Sequence, residues 1–396
     1  MKDGVYFRKG IKMKRLSWVT LVVVLFGILA AACRQEAAPP TQPAATAKAT
    51  AAVSKAAWEQ QWDSALAEAK KEGKLVVYGS GTAAMRDVGV NKFFEDKFGV
   101  TMENIAGSAS ELLPKIGSER QAGIYSGDIF IISLSTMLNQ MKPSGITESL
   151  DKTIFLPDVL DGKAWYTGDV PWVDKEHHQV AMLAMPIGAV VINTDLVKPG
   201  EIKSYRDLLD PKWKGKIGMT DPTQSGQGGT WFAAMAEGIM DLNYLRELAK
   251  QEPQLSRNDR LLAEWIAKGR VSVMIALKTD LVAEFQRIGS PIKMVGMAEG
   301  TYVAADSAGL TLLKNAPHPS AAKVFANWIL TKEGATFVAK AWGGQHARVD
   351  VPTDFIDPLQ VRQPGVKYFN DNLESHVVKK PNYYKLAGEV FAASLK

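Results

Sequence analysis

Short apolar runs alternate with amphipathic segments along the body of this chain, and that alternation constrains its fold more than any single motif. Trp58, Trp62, Ala65, Leu66 and Ala69 recur at helical spacing and Gly73 follows them, which predicts a helix over Trp58–Glu72. Lys74-Leu75-Val76-Val77-Tyr78 reads as a short buried strand. Gly79-Ser80-Gly81-Thr82 then turns the chain into a second helix, with Phe93, Phe94 and Phe98 on its apolar side. A strand near Thr101–Ile105 and the loop Gly107–Ser110 lead to a helix over Glu111–Ala122, and the run ending Asp128-Ile129-Phe130-Ile131-Ile132 is the next buried strand. Strands alternating with helices predict the α/β class with a mainly parallel sheet. The body, about 340 residues, exceeds what one ordinary core carries, so two lobes are expected.

In such sheets ligands sit beyond the carboxyl ends of the strands. Here those ends carry Ser80, Gly81 and Thr82, then Ser108 and Ser110, then Ser133 and Ser135. Hydroxyls and unpaired amides at helix starts suit an anionic or polar ligand. Pro222 fits the first turn of a helix, where its missing N–H costs nothing. That places Thr223, Ser225 and Gly226 beside exposed amides. Lys278 follows the apolar run Val271–Ala276 and adds a point positive charge, which favours an anion over a cation.

The amino-terminal stretch has a different character. Lys12, Lys14 and Arg15 precede an apolar run from Leu16 to Ala32 that is short for a membrane span and ends in small residues, as a cleavable export signal does. The signal needs nothing before Met13, so initiation there is expected to suffice. Residues 34–57 are rich in Ala, Pro and Thr without a hydrophobic pattern and are expected to form a disordered tether. Leu29-Ala30-Ala31-Ala32-Cys33 resembles the lipobox of bacterial lipoproteins, with Leu one place earlier than usual and Ala30 in its slot. The resemblance implies a signal over 1–33, lipidation of Cys33 and a stable two-chain anchor at a membrane surface outside the cytoplasm.

The whole chain carries 47 basic and 42 acidic residues, but six of the basic and one of the acidic lie within residues 1–33. The remainder holds 41 of each and is formally neutral, so the alkaline balance is no argument for nucleic-acid binding. Cys33 is the only cysteine, which excludes an internal disulfide and thiol chemistry in the body.

Enzyme motifs are weak. Gly79-Ser80-Gly81-Thr82-Ala83-Ala84 mimics a dinucleotide loop, yet an export signal argues against a nicotinamide cofactor. Ala305-Asp306-Ser307-Ala308-Gly309 resembles a nucleophile elbow inside an alternating stretch, Tyr302 to Leu313, that reads as a strand. Adjacent His177 and His178 point in different directions and do not make a zinc site. No catalysis, cofactor or metal is expected. Trp165, Tyr166, Trp172 and Trp231 are second-tier candidates for stacking on a ligand.

Three later segments carry a wider resemblance. They are Pro186–Val197 with its Asn193-Thr194-Asp195-Leu196 turn, Ser204–Ile217 with Leu208-Leu209-Asp210-Pro211 before Trp213 and Gly215, and Asp221–Gly226 opening a helix. Together with Ala321–Leu330 and Glu333-Gly334-Ala335, they resemble the solute-binding proteins of bacterial ABC importers, in the branch that includes ferric-iron-binding proteins, over roughly residues 58–345. The resemblance implies a two-lobed periplasmic-binding-protein-like type II fold with a ligand cleft between lobes. The implied lobes are 58–185 plus 298–314, and 188–297 plus 315–396, with crossings near Met185–Ala189, Ile292–Gly300 and Leu312–Ala316. It also implies capture of a small solute and delivery to a membrane permease, without catalysis. Iron binders of the branch bring two adjacent tyrosines into the cleft. At the matching place this chain has Leu277-Lys278-Thr279-Asp280, and its pair Tyr383-Tyr384 falls in another element, expected to be packing or surface. A small anionic or carboxylate-bearing solute is therefore expected, with a ferric-iron receptor or an envelope enzyme on the same fold as alternatives.

Overall fold

The computed structural model describes residues 55–188, 190–305 and 307–395. The signal, Cys33 and the tether as far as residue 54 lie outside them, as does Asp306 of the elbow-like stretch.

Three sheets form. In the first, strand order runs Thr101–Ala106, Lys74–Gly79, Ile129–Ile132, Gly309–Leu313, Thr147–Glu148, with Gln179–Ala181 also paired to Gly309–Leu313. The first three strands are parallel, as the helical connections between them require, and Gly309–Leu313 closes the sheet antiparallel to Ile129–Ile132. The second sheet runs Ile292–Val295, Val190–Asn193, Val273–Ile275, Ile217–Thr220, Gln254–Ser256. The third is small and joins Phe369–Asn370, Tyr302–Ala304 and Met185–Ile187. Tyr302 to Leu313 is thus not one strand but two, in different sheets. The segment expected as one helix after Gly81 is also two, Thr82–Asp87 and Val90–Phe98, separated at Gly89, whose φ of 89° is left-handed.

Each large sheet has its own core. Leu75, Val77, Phe130, Ile131 and Leu310 anchor the first, and Val190, Ile217, Met219, Trp231 and Phe232 the second. Residues 315–347, expected in the second lobe, belong to the first core instead. Ala321, Ala322, Val324, Phe325, Ala326, Trp328 and Ile329 of the helix Pro319–Ile329 are all buried there, with Val338 and Ala347. Phe93, Phe94 and Phe98 pack their rings on Trp328 at 5.4–5.9 Å between centroids. Such aromatic pairs contribute about 0.5–1.5 kcal/mol each beyond burial. The helix is apolar nearly all round, so it had to be covered on several sides. Its periodicity does not say which sheet covers it. Only the end of the chain returns to the second core, through Ala387 and Phe391.

The chain passes between the cores on paired strands. Tyr302 faces Ile187, Val303 faces Pro186 and Ala304 faces Met185, antiparallel, and the Thr301 hydroxyl donates to the Ile187 carbonyl. Tyr302 packs in the second core and Val303 in the first.

Candidate functional site

A cleft of about 330 Å³ opens beside these connecting strands. One wall comes from Ser133, Leu134 and Ser135, immediately after the strand Ile129–Ile132. Ser133 caps a single helical turn there, accepting from the Thr136 amide at 3.4 Å, while its hydroxyl lies 2.8 Å from that of Thr136. The opposite wall comes from Ser225, Gly226, Gln227 and Thr230, at the start of the helix Gln227–Ala234, and from Lys278. Ile187, Tyr302, Ala304 and Ala305 form part of the lining, and Asp371, Asn372, Val377 and Lys380 complete it.

Local sequence explains the second wall. Gly228 and Gly229 let the first turn of the helix lie on the end of the strand Ile217–Thr220. A Cβ at Gly228 would strike the Thr220 carbonyl oxygen, and one at Gly229 would meet the Tyr384 ring at 2.5 Å. Tyr384 is half-buried under this helix and hydrogen-bonds Ser225. The first amides of the helix lack intrahelical partners and carry its partial positive charge, so anionic groups are favoured near them. The Gln227 side-chain oxygen is buried and has no hydrogen-bond partner among the described residues, which leaves an acceptor in a cleft-lining side chain.

Two ammonium groups reach the cleft. Lys278 caps the helix Thr279–Arg287, is half exposed and pairs with Asp259 at 2.8 Å. Lys380 begins the helix Lys380–Val390 and is almost buried. Its Nζ donates to Asp371 Oδ2 at 2.6 Å and to Thr230 Oγ1 at 3.4 Å. Burial pushes the Asp371 carboxyl above the ordinary carboxylate range and Lys380 draws it part of the way back.

Residues 74–342 match the family described as bacterial extracellular solute-binding protein. The chain belongs to that family. A protein of Haemophilus influenzae is 27% identical over 276 residues, 67% of this chain and 75% of its own. Among solved structures, the periplasmic binding protein AfuA of Actinobacillus pleuropneumoniae, with fructose-6-phosphate bound, superposes with a TM-score of 0.56 at 23% identity, covering 81% of this chain and 99% of its own. Trichodesmium IdiA (FutA), in complex with iron and citrate, gives 0.61 at 18% identity over 80% and 99%. The fold is the two-lobed type II fold of periplasmic binding proteins.

In this solute-binding protein the cleft gathers Ser133, Ser135, Ser225, Gly226 and Lys278 of the residues singled out in the sequence. It does not gather the rest. Thr82 is buried and donates to the Gly79 carbonyl at 2.8 Å, and Gly81 lies against the Trp342 ring, leaving Ser80 exposed between them. Ser108, at the cap of the helix Ala109–Gln121, donates its amide and hydroxyl to the Glu111 carboxylate, and Ser110 is tied to Ser108 at 2.9 Å. Thr223 spends its amide and hydroxyl on Asp221 Oδ1, at 2.9 and 2.7 Å. Thr82, Ser108, Ser110 and Thr223 each serve the backbone or a neighbour beside them, the competing use of Ser and Thr at helix starts. The aromatic candidates line other places. Trp165 donates to the Val159 carbonyl, Trp172 stacks on His177, Tyr166 lies under Arg362, and Trp231 is in the second core. His177 and His178 bond Asp151 and Thr147 separately, and among the described residues no group of three or more His, Cys, Asp or Glu is placed to hold a metal ion.

Sequence reasoning missed Gln227, Thr230, Tyr302, Asp371, Asn372 and Lys380. Gln227 and Thr230 were in reach, one turn beyond Ser225. The carboxy-terminal group was not, because nothing local in Asp371-Asn372 or Lys379-Lys380-Pro381 marks which side of the molecule it covers.

Proposed function

We propose that this protein captures a small anionic or carboxylate-bearing solute outside the cytoplasm and delivers it to the permease of an ABC importer, held at the membrane by a lipid on Cys33. The single observation that carries the reading is the cleft itself. Two ammonium groups, the hydroxyls of three serines and one threonine, and the start of a helix converge on a space of small-molecule size between two cores. Closure turns on the paired strands Met185–Ile187 and Tyr302–Ala304. A ligand touching both walls favours the closed form by the difference in its affinity for the two states. The first lobe is then residues 58–185 with 302–347, and the second is 190–297 with the chain end. The absence of a tyrosine pair from the cleft lining speaks against bare ferric iron.

The test is a thermal-shift and native mass-spectrometry screen of the full chain in detergent against sugar phosphates, sugar acids, citrate and ferric salts. A solute that binds only the folded state adds about 2.7 kcal/mol at a hundredfold excess over its dissociation constant. A shift with ferric salts alone, with a phenolate–iron absorption band, overturns the anionic reading. Release of a chemically altered ligand after denaturation overturns the transport reading in favour of an enzyme.

A further inference from the structure

We propose that the carboxy-terminal segment beginning at Asp371 sets the ligand specificity of the cleft, with Lys380 as the residue that takes the oxyanion of a hydroxylated solute. The inference rests on the anionic reading and names the group that carries it. The family match ends at residue 342, yet Asp371, Asn372, Val377 and Lys380 line the cleft. A quarter of the lining therefore lies beyond that match.

The geometry around Lys380 is that of a held charge. Its side chain is 12% exposed and that of Asp371 is 7% exposed. An ammonium has three donors in three directions. Asp371 accepts one and Thr230 another, and both acceptors belong to the cleft lining. No other acceptor engages Nζ among the described residues, so the third donor is left for a ligand in the cleft. Asp371 holds the Lys380 Nζ in place where solvent is scarce, because a buried polar group needs a partner. A charge-assisted hydrogen bond made there is stronger than one made at the rim. The rest of the lining suits hydroxyls. Ser135 lines the cleft with Ser133 and Ser225, which also bond Thr136 and Tyr384, and the Gln227 oxygen needs a donor. A compound with one oxyanion head, phosphate ester or carboxylate, and several hydroxyls satisfies both sets.

Isothermal titration calorimetry of the full chain with glucose 6-phosphate, gluconate and glucose tests this. The unmodified protein should bind at least one of the two anions more tightly than glucose, and the favoured anion decides between phosphate and carboxylate. Lys380→Met should weaken that anion at least tenfold, more than Lys278→Met does, and remove the preference over glucose. A smaller loss, or a larger one in Lys278→Met, overturns the assignment while the anionic reading stands. Failure of the unmodified protein to bind either anion overturns both. Should Lys380→Met lose its near-ultraviolet circular dichroism, Lys380→Met with Asp371→Asn leaves no stranded buried charge and is measured in its place, with the same outcomes deciding.

Discussion

Lys278 and Lys380 stand at similar places, each at the start of a helix and each facing the same cleft, yet they sit in opposite physical regimes. The Lys278 side chain is 50% exposed and its partner Asp259 is 24% exposed, whereas Lys380 and Asp371 are shielded together. In the first corner water screens the pair, and the attraction is worth little. In the second, the two charges were taken out of water as a unit, and each depends on the other. A sequence motif flags the first lysine, and only packing makes the second the stronger candidate.

The largest effect that separates the corners is on stability. Asp371→Ala strands the Lys380 ammonium and should cost on the order of 3 kcal/mol in urea unfolding. An equal cost for Asp259→Ala would erase the contrast. Next comes the shared wall between the corners. Gly229→Ala pushes a methyl into the Gln224 carbonyl and the Tyr384 ring and should cost roughly 2 kcal/mol by overpacking, read as a lower unfolding midpoint. Unchanged stability would mean that the carboxy-terminal helix rides loosely on this wall.

Asp221 sharpens the contrast through pH. It is buried, accepts from the Thr223 amide and hydroxyl, and pairs with Arg257 at 2.7 Å. Burial alone would raise its carboxyl, but Arg257 and Thr223 outweigh that and hold it below the ordinary range. A depressed folded value contributes stability that is fully present above the unfolded value near 4 and is lost as pH falls through the folded one. Asp221→Asn should therefore be less stable than the unmodified protein by on the order of 1 kcal/mol at pH 7. The gap should close below about pH 4. A gap that widens in acid would reverse the sign assigned here. The smallest effect belongs to the rim: Asp259→Ala should shift stability by no more than about 0.5 kcal/mol and lose even that in high salt. Urea midpoints at low and high ionic strength measure it.

Much of the fold was legible because its cause is local. Alternating strand and helix patterns marked Lys74–Gly79, Ile129–Ile132 and the helix Ala57–Glu72 within a residue or two. The candidate site was legible in half. Ser133, Ser135, Ser225, Gly226 and Lys278 were found because strand ends and helix starts face ligands in this class of sheet. Thr82, Ser108 and Thr223 obey the same rule, and their immediate neighbours took their hydrogen bonds instead.

The amino-acid order by itself determined the α/β class, the two-core size, the neutral body and the family, since periodicity, composition and motif order are properties of neighbours along the chain. Tertiary structure alone decided that residues 315–347 complete the first core and that Asp371 and Lys380 meet in the cleft. Phe325 of the helix Pro319–Ile329 packs on Phe94, and Lys380, nine residues from Asp371, reaches Thr230; both joins span more than a hundred residues. They are set by which surfaces can bury one another, and no window of sequence contains that information.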